Sequence, residues 1–326
     1  MIIGKEELLN NHTSLPKENN ITNEEIYIFF NKLMEELLRN MDRLCLAQAS
    51  ETGKPIKNCK KELFRCIELI KYGIKCNSEA EVKSVAYMGY SMRYYERRIG
   101  RGRILCINTF SSPYSSFIHK VIGVLLGRGV LYFKPSPKAE KCSYELYTII
   151  SNIMSKYNDK ILNFLPGIND TEMINVLSAF EFSAILFTGK SETAKIIKKY
   201  IGRIPGIFET GSSAMAYVHI DKGYEKVAKE LAQASFAQSG MRCIGLKNLF
   251  VHKNTIANLL PFLLEQVYQL SVGEPLNYET DIGPIYDNQV VDRTLELINQ
   301  CSKQNFKLLC GGENYRKQYH VTNNID

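Results

Sequence analysis

The chain has 326 residues, of which 45% are hydrophobic and 23% are charged. This balance is that of an ordinary globular protein, and the length allows two domains with a sizeable core. The formal net charge of +7 is spread along the chain. It suits anionic small ligands and does not by itself indicate nucleic acid, so no nucleic-acid partner is expected.

Nine cysteines are irregularly spaced and form no CxxC pair. The first residues carry no apolar signal-peptide core, and no apolar run is long enough to span a bilayer. We therefore expect free thiols in a reducing, cytoplasmic location, with no membrane partner. No metal site is expected, because Cys59, Cys66 and Cys76 lack the spacing of paired zinc ligands.

The chain begins with a polar, Asn-rich stretch over residues 1–22, which predicts a loose lead-in. Apolar residues at helical spacing predict a helix over residues 23–50, a turn at 51–55 and a second helix over 60–72. A basic run with interleaved tyrosines follows at residues 93–103. It is interpreted as a solvated edge strand, since one short basic run without a binding fold is weak evidence for a nucleic-acid site.

Segments of strand and helix character then alternate, which is typical of a parallel sheet covered by helices on both faces. The predicted strands cover residues 104–107, 129–133, 161–165, 184–187, 215–220 and 248–252. The predicted helices cover residues 117–126, 144–155, 191–200, 224–236, 256–270 and 289–304. Ligands of such sheets bind at the carboxyl ends of the strands. Glycines and a proline cluster close to residue 209 and predict a domain boundary there.

Cys243 is the most informative residue, because it follows a small-residue turn and lies 34 positions after Glu209. A nucleophilic thiol must become a thiolate, which needs a base, a cation or oriented amides nearby. Glu209 is the candidate base, Arg242 supplies a cation, and Gly240 lets the backbone turn tightly. The alternative is that Cys243 is one structural cysteine among the nine.

Two segments are candidate phosphate sites. Lys134 ends a predicted strand and is followed by a proline-rich turn, which suits a ribose or a phosphate. Residues 184–191 resemble a P-loop in which Ala184 replaces the first glycine, and a nucleotide triphosphatase acting through Gly189, Lys190 and Ser191 is one interpretation. The other is that Gly189 lets a helix N-terminus approach a dinucleotide pyrophosphate.

Taken together, these motifs resemble those of the aldehyde dehydrogenase superfamily, in the family's order. The matching segments are residues 51–55, 111–113, 119–121, 134–136, 162–167, 187–190, 208–212, 239–243, 273–275 and 281–284. The histidine–lysine pair and the SGxRC stretch look closest to the lactaldehyde and non-phosphorylating glyceraldehyde-3-phosphate branch. The resemblance implies an α/β fold, with a Rossmann-like parallel-sheet cofactor domain over residues 23–208 and an incomplete α/β catalytic domain over 209–326.

The resemblance also implies a reaction, namely oxidation of a small aldehyde to its acid with NAD or NADP. Cys243 would attack the carbonyl and pass through a thioester, which water activated by Glu209 would hydrolyse. The Cys243 backbone N–H and a side-chain donor at the Ser111 position would hold the oxyanion. Arg242 would meet an anionic substrate. The cofactor site would comprise Lys134, Ser136, Thr188, Gly189, Lys190 and Gly211.

The departures from the family pattern bear on activity and on cofactor choice. Ser111 stands where the family has asparagine, and losing one oxyanion donor costs about 10²–10³ in turnover elsewhere. Lys190 and Met241 replace a small residue and a glutamine. Pro137 replaces an acidic residue often found after the ribose lysine, and with Lys138 beside it this suits tolerance of a 2′-phosphate, so that either NAD or NADP is compatible with the sequence.

The chain stops before the family's later catalytic segments, so it resembles a C-terminally truncated member. Such a chain would expose apolar surface, which predicts low solubility, a partner that supplies the missing part, or a rearranged end of the fold; a homo-oligomer could also cover this surface. It also motivates a second function, a catalytically degenerate homologue that acts as a binding or interaction protein.

Overall fold

The structure is a computed structural model that describes residues 2, 19–78, 84–86, 93–95, 100–158, 160–285, 288–304 and 306–312. The chain divides into two compact units. Unit 1 comprises Met1–Leu44 and Lys60–Thr210, and unit 2 comprises Cys45–Cys59 and Gly211–Asp326. The lead-in predicted over residues 1–22 lies mostly outside the described residues.

Three helices open the described chain: α1 (Asn23–Arg39), α2 (Met41–Thr52) and α3 (Ile56–Ser78). A capping box between Thr22 and Glu25 begins α1. The single helix predicted over residues 23–50 is wrong, because the chain breaks at Asn40, whose amide group donates to the Glu36 carbonyl at 2.8 Å. The turn predicted at 51–55 is shorter, since α2 extends to Thr52 and α3 begins at Ile56. The helix predicted over 60–72 is confirmed within α3, which is longer at both ends.

The basic run at residues 93–103 divides between two strands. The short strands β1 (Ser84–Ala86) and β2 (Arg93–Tyr95) pair antiparallel, whereas residues 96–99 lie outside the described residues. Arg103 begins the next strand and is buried, with its guanidinium 5.0 Å from the centre of the Phe180 ring. The interpretation of the whole run as a solvated edge is therefore wrong at Arg103, which packs as part of the core.

Unit 1 is built on a five-stranded parallel sheet with the order β5-β4-β3-β6-β7, which confirms the predicted fold class. Its strands are β3 (Arg103–Ile107), β4 (Val130–Lys134), β5 (Leu162–Phe164), β6 (Ala184–Thr188) and β7 (Gly206–Glu209). The connecting helices are α4 (Pro113–Leu126), α5 (Glu140–Met154), α6 (Asp170–Ala179) and α7 (Ser191–Tyr200). The central strands β3 and β4 are buried at every position, as expected of a sheet covered on both faces.

Unit 2 contains the two-stranded parallel sheet of β8 (Met215–Val218) and β9 (Asn248–Val251). Helix α8 (Tyr224–Phe236) connects the two strands, and α9 (Lys253–Tyr268) and α10 (Asn288–Lys303) follow. Its core is small, with Val218, Ala228, Leu231 and Leu259 buried together. In the described residues, no helix is both long enough and apolar enough to cross a membrane.

Candidate functional site

The predicted cofactor residues of unit 1 meet at one edge of the sheet. Lys134 ends β4 opposite Ile107, and Thr188 ends β6 opposite Glu209. Because all five strands are parallel, their carboxyl ends share this edge, and the Ser111 loop after β3 leaves from it too. The fold therefore brings these candidates together where doubly wound sheets bind ligands.

Lys134 is buried, and its Nζ atom donates to the Pro135 carbonyl at 3.4 Å. Ser136 accepts from the backbone N–H of Lys138 at 3.4 Å and so begins a short 3₁₀ turn. The turn places the Lys138 ammonium 5.7 Å from the centre of the Phe110 ring. The buried Lys134 thus ends β4, and the half-buried Lys138 lies four residues after it.

Thr188 and Glu209 form a side-chain hydrogen bond, in which the Thr188 hydroxyl donates to the Glu209 carboxylate at 3.1 Å. The backbone N–H of Gly189 donates to the Glu209 carbonyl at 3.1 Å. A Cβ atom on Gly189 would lie 2.8 Å from the Phe187 ring, so a side chain there would force the ring to move. Lys190 is exposed and begins α7 without capping it through its side chain.

The P-loop interpretation of residues 184–191 fails on this geometry. Residues Ala184–Thr188 form a strand paired to both β3 and β7, and only Gly189 and Lys190 connect it to α7. A P-loop needs a longer loop whose amides converge on a phosphate. The triphosphatase interpretation is therefore not supported, whereas a close approach of the α7 N-terminus to a pyrophosphate remains compatible with this turn.

Ser111 lies in a loop that is fixed from several sides. Its hydroxyl is 3.3 Å from the Thr109 hydroxyl. Asn108 is buried and donates to the Pro113 carbonyl at 2.9 Å. Glu62 of α3 accepts from the backbone N–H groups of Tyr114 and Ser115 at 3.0 and 2.9 Å, and so caps α4 in place of a local side chain. The predicted oxyanion position is thus held by a rigid connection.

Lys120 is a residue whose environment the sequence did not reveal. Its ammonium is buried and donates to the Ile107 carbonyl, the Asn108 amide oxygen and the Ser116 hydroxyl at 2.8, 2.9 and 3.2 Å. Burial lowers the pKa of Lys120 to about 8, against the opposing influence of Cys106 and Glu209. The sequence feature that indicates this burial is a lone lysine within the apolar stretch of α4.

Cys243 is exposed and lies in the turn that follows α8. Gln238, Ser239 and Gly240 adopt left-handed backbone conformations in succession, with φ of 57°, 57° and 70°. The Cys243 carbonyl accepts from the Ser212 hydroxyl at 2.8 Å and from the Ser212 N–H at 3.3 Å. Its exposure argues against a purely structural thiol, because structural cysteines are commonly buried.

The segments at residues 51–55 and 281–284 contact each other within unit 2. A Cβ atom on Gly283 would overlap the Gly53 carbonyl oxygen. Gly53 itself has φ of 71° and packs against Pro284. The Gly283 N–H donates to the Ser239 hydroxyl oxygen at 2.8 Å, which connects this contact to the Cys243 turn.

Arg242 and Gly211 are exposed residues of unit 2, whereas Glu209 belongs to unit 1. The pairing of Glu209 with Cys243 as base and nucleophile therefore stays a prediction, as do the roles of Arg242 and Gly211.

The ion pair between Lys57 and Asp281 makes the stability of unit 2 depend on pH in the acid range. The Lys57 ammonium lies 2.6 Å from the Asp281 carboxylate, which also accepts from the Ser271 N–H at 3.1 Å. Burial alone would raise the pKa of Asp281, but the hydrogen bonds from Lys57 and Ser271 lower it below its ordinary value. Because the folded pKa is depressed, this stabilisation is present above the unfolded pKa and is lost as the pH falls through the folded pKa.

We expect Asp281→Asn to lower the free energy of unfolding at pH 7 by at most about 1 kcal/mol, since the pair is part-exposed. The difference from wild type should shrink below about pH 4, close to the ordinary aspartate pKa. Urea unfolding at several pH values measures it. Asp221→Asn, at an exposed carboxylate of unit 2, is the matched control and should change little. A loss that is independent of pH would contradict the ion-pair account.

Comparisons with known proteins agree on one family. The model of the aldehyde dehydrogenase family matches residues 14–325. The lactaldehyde dehydrogenase of Methanocaldococcus jannaschii is 24% identical over 301 residues, covering 91% of this chain and 64% of that enzyme. The sulfoacetaldehyde dehydrogenase of Neptuniibacter caesariensis is 24% identical over 319 residues, covering 94% of this chain and 68% of that enzyme.

The fold comparison points the same way. The crystal structure of the glyceraldehyde-3-phosphate dehydrogenase GapN of M. jannaschii, complexed with NADP, superposes with a TM-score of 0.88 at 23% identity. The alignment covers 96% of this chain and 70% of GapN. Three of the curated relatives are matched over only 53%, 64% and 62% of their lengths, so this chain corresponds to about half to two thirds of them.

Proposed function

Because the chain belongs to the aldehyde dehydrogenase family, we propose that it oxidises a small aldehyde to its carboxylic acid with NAD or NADP. The observation that carries the proposal is the exposed Cys243, set in a left-handed turn with its carbonyl bonded to Ser212. Since the chain covers only part of its relatives, the activity of the whole protein is itself part of this proposal.

The residues at the edge of the unit 1 sheet fit a dinucleotide. Helix α7 begins without a side-chain cap from Lys190, which leaves the amides of its first turn open to a phosphate. Gly189 precedes this N-terminus, and its lack of a side chain lets the Phe187 ring pack against the turn. Lys134 and Lys138 supply positive charge beside the same edge. Bound NAD or NADP would supply a hydride acceptor here.

In the proposed reaction the Cys243 thiolate attacks the aldehyde carbon and forms a thiohemiacetal. The Cys243 N–H and the Ser111 hydroxyl donate to the oxyanion, which stabilises charge that develops only in the transition state. Loss of hydride leaves a thioester on Cys243. Glu209 then removes a proton from water, which attacks the thioester and releases the carboxylic acid and the thiolate.

A test of this proposal combines binding and turnover in the same sample. NADP is titrated into the purified chain by calorimetry, and a panel of aldehydes is then added while reduced cofactor is followed by absorbance. The panel pairs neutral aldehydes with sulfonated and phosphorylated ones. We expect binding, turnover, and a higher kcat/KM for the anionic members, because Arg242 lies beside Cys243 in the chain and two of the compared relatives are named for anionic aldehydes.

A second candidate function is a degenerate homologue that binds but does not oxidise. It is favoured by Ser111, whose hydroxyl replaces a longer amide donor. Such a protein could act by binding a partner or a second copy of itself. Binding of NADP without turnover of any aldehyde in the panel would select this function, whereas turnover would exclude it.

The cofactor preference is expected to depend on Lys138. This lysine lies over the Phe110 ring and follows Pro137, which stands where the family often has an acidic residue. A lysine paired with a 2′-phosphate contributes about 1.4 kcal/mol, which is a factor of ten in Kd. We therefore expect Lys138→Ala to weaken NADP binding about tenfold and NAD binding less than twofold, as measured by calorimetry.

The control for that variant is Lys141→Ala, which removes an exposed lysine from the first turn of α5. It should leave the affinities for both cofactors within twofold of wild type. Equal losses of NAD and NADP affinity in Lys138→Ala would show that Lys138 does not bind the 2′-phosphate.

A further inference from the structure

We infer that Ser239 is a positioning residue for Cys243. It acts through a hydrogen bond between its hydroxyl oxygen and the backbone N–H of Gly283, which holds the turn that carries Cys243. The inference rests on the proposed function of Cys243. Ser239 has φ of 57° between two other left-handed residues. This conformation costs a non-glycine residue free energy, and it persists only where the surrounding structure enforces it. A strained serine four positions before the candidate nucleophile therefore needs a cause.

The cause is a hydrogen bond to a backbone group that is itself fixed. The Gly283 N–H donates to the Ser239 hydroxyl oxygen at 2.8 Å. Gly283 packs so closely on the Gly53 carbonyl that no side chain fits, and Gly53 in turn contacts Pro284. The neighbouring Lys57–Asp281 ion pair adds a second connection between the same two segments. The bond thus ties Ser239 to the most closely packed backbone contact of unit 2 among the described glycines.

The other end of the turn is held independently. Ser212 donates to the Cys243 carbonyl through both its hydroxyl and its backbone N–H. Within the turn, the Met241 N–H donates to the Gln238 carbonyl at 3.0 Å. The backbone that carries the sulfur is therefore fixed at Ser239 and at Cys243, and loss of either tie lets the thiol move. A displacement of about 1 Å at a reacting atom can cost about 10²-fold in rate.

Ser239→Gly tests the inference without threatening the fold, because glycine relieves the left-handed strain while it removes the hydroxyl. We expect kcat to fall between about tenfold and about 10²-fold, with KM for NADP within twofold of wild type. Hydrogen exchange at the Gly283 N–H should accelerate. Alkylation of Cys243 by iodoacetamide should stay within twofold, because a small probe needs an exposed thiol and not a docked substrate.

Two further variants separate positioning from strain. Ser239→Asn keeps an acceptor and tolerates a left-handed backbone, so it should restore most of kcat. Gln238→Gly relieves the same φ of 57° one position earlier and keeps the Ser239 hydroxyl, so its kcat should match wild type within twofold.

The outcomes that overturn the inference are distinct from failure of the proposed function. Wild-type kcat in Ser239→Gly, unchanged exchange at Gly283, or equal losses in the Gly and Asn variants would each remove the positioning role and leave the dehydrogenase standing. A wild-type chain that binds NADP but turns over no aldehyde would overturn the proposed function, and the inference would fall with it.

Discussion

Cys243→Ser is expected to lower aldehyde oxidation by at least about 10³-fold while NADP binding stays within twofold of wild type. A serine hydroxyl is not ionised near neutral pH, whereas a thiol supplies an appreciable thiolate fraction, and removal of a nucleophile elsewhere costs up to about 10⁶ in turnover. Formation of reduced cofactor measures the rate, and calorimetry measures the affinity. The variant should fold normally, because Cys243 is exposed and its backbone bond to Ser212 does not involve sulfur.

Cys301→Ser is the matched control, since Cys301 is also an exposed cysteine of unit 2, on α10. Its turnover should remain within twofold of wild type. Iodoacetamide should inactivate the wild type and the Cys301 variant alike, with the label on Cys243. If Cys243→Ser kept more than a tenth of the wild-type turnover, the assignment of the nucleophile would be wrong.

Gly283→Ala is expected to destabilise unit 2 by about 3 kcal/mol, at the upper end of overpacking costs. The added methyl group would overlap the carbonyl oxygen of Gly53, and a backbone atom cannot move aside as the end of a flexible side chain can. The substitution should also disturb the bond from the Gly283 N–H to Ser239. Urea unfolding followed by circular dichroism gives the change in the free energy of unfolding.

Gly123→Ala serves as the comparison, because no atom lies within 4 Å of the position where its Cβ would be. Gly123 is an exposed residue of α4, where alanine is the better helix former by about 1 kcal/mol. This variant should equal or exceed the wild-type stability. If both alanine variants unfolded at the wild-type urea concentration, the close packing of Gly283 on Gly53 would be refuted.

Local patterns predict four of the five strands of the unit 1 sheet, whereas β7 (Gly206–Glu209) lies in the glycine- and proline-rich stretch that is interpreted as a domain boundary. The four predicted strands are short apolar runs, each bounded by turn residues and followed by a helix, whereas β7 is largely exposed and is followed by β8. The break at Asn40 escapes prediction because apolar periodicity continues through it, whereas the structure ends α1 there, with the Asn40 amide donating to the Glu36 carbonyl and carboxylate. Arg103 was misassigned for a related reason, since its charge indicated solvent while its packing on Phe180 is a tertiary effect.

The candidate site also combines features that the sequence predicts with features that it does not. The turn before Cys243 was predicted from Gly240, which does adopt a left-handed conformation. The left-handed Ser239 and its bond to Gly283 could not be predicted, because that contact joins segments far apart in the sequence. The segments at 51–55 and 281–284 match the family pattern, but the match does not explain what they do in the structure. Their packing through Gly53 and Gly283 gives a physical reason for both glycines.

The surroundings of Lys134 and Lys120 also differ from what the sequence indicates, because charge patterns do not report burial. Lys134 was predicted at a strand end, and it lies there, but its side chain is buried. Burial lowers the pKa of Lys120 to about 8, whereas the sequence shows only a lysine within an apolar stretch that resembles a family segment. Electrostatic properties of this kind need the three-dimensional surroundings of the group.

The measurement that tests the central claim most directly is chemical trapping of the covalent intermediate. The Glu209→Gln variant is mixed with NADP and an aldehyde, quenched in acid, and digested for mass spectrometry of the Cys243 peptide. Because the amide cannot activate water, the account predicts a burst of about one reduced cofactor per chain and the matching acyl group on Cys243. Reduced cofactor without any acyl group on that peptide would contradict a thioester mechanism at Cys243.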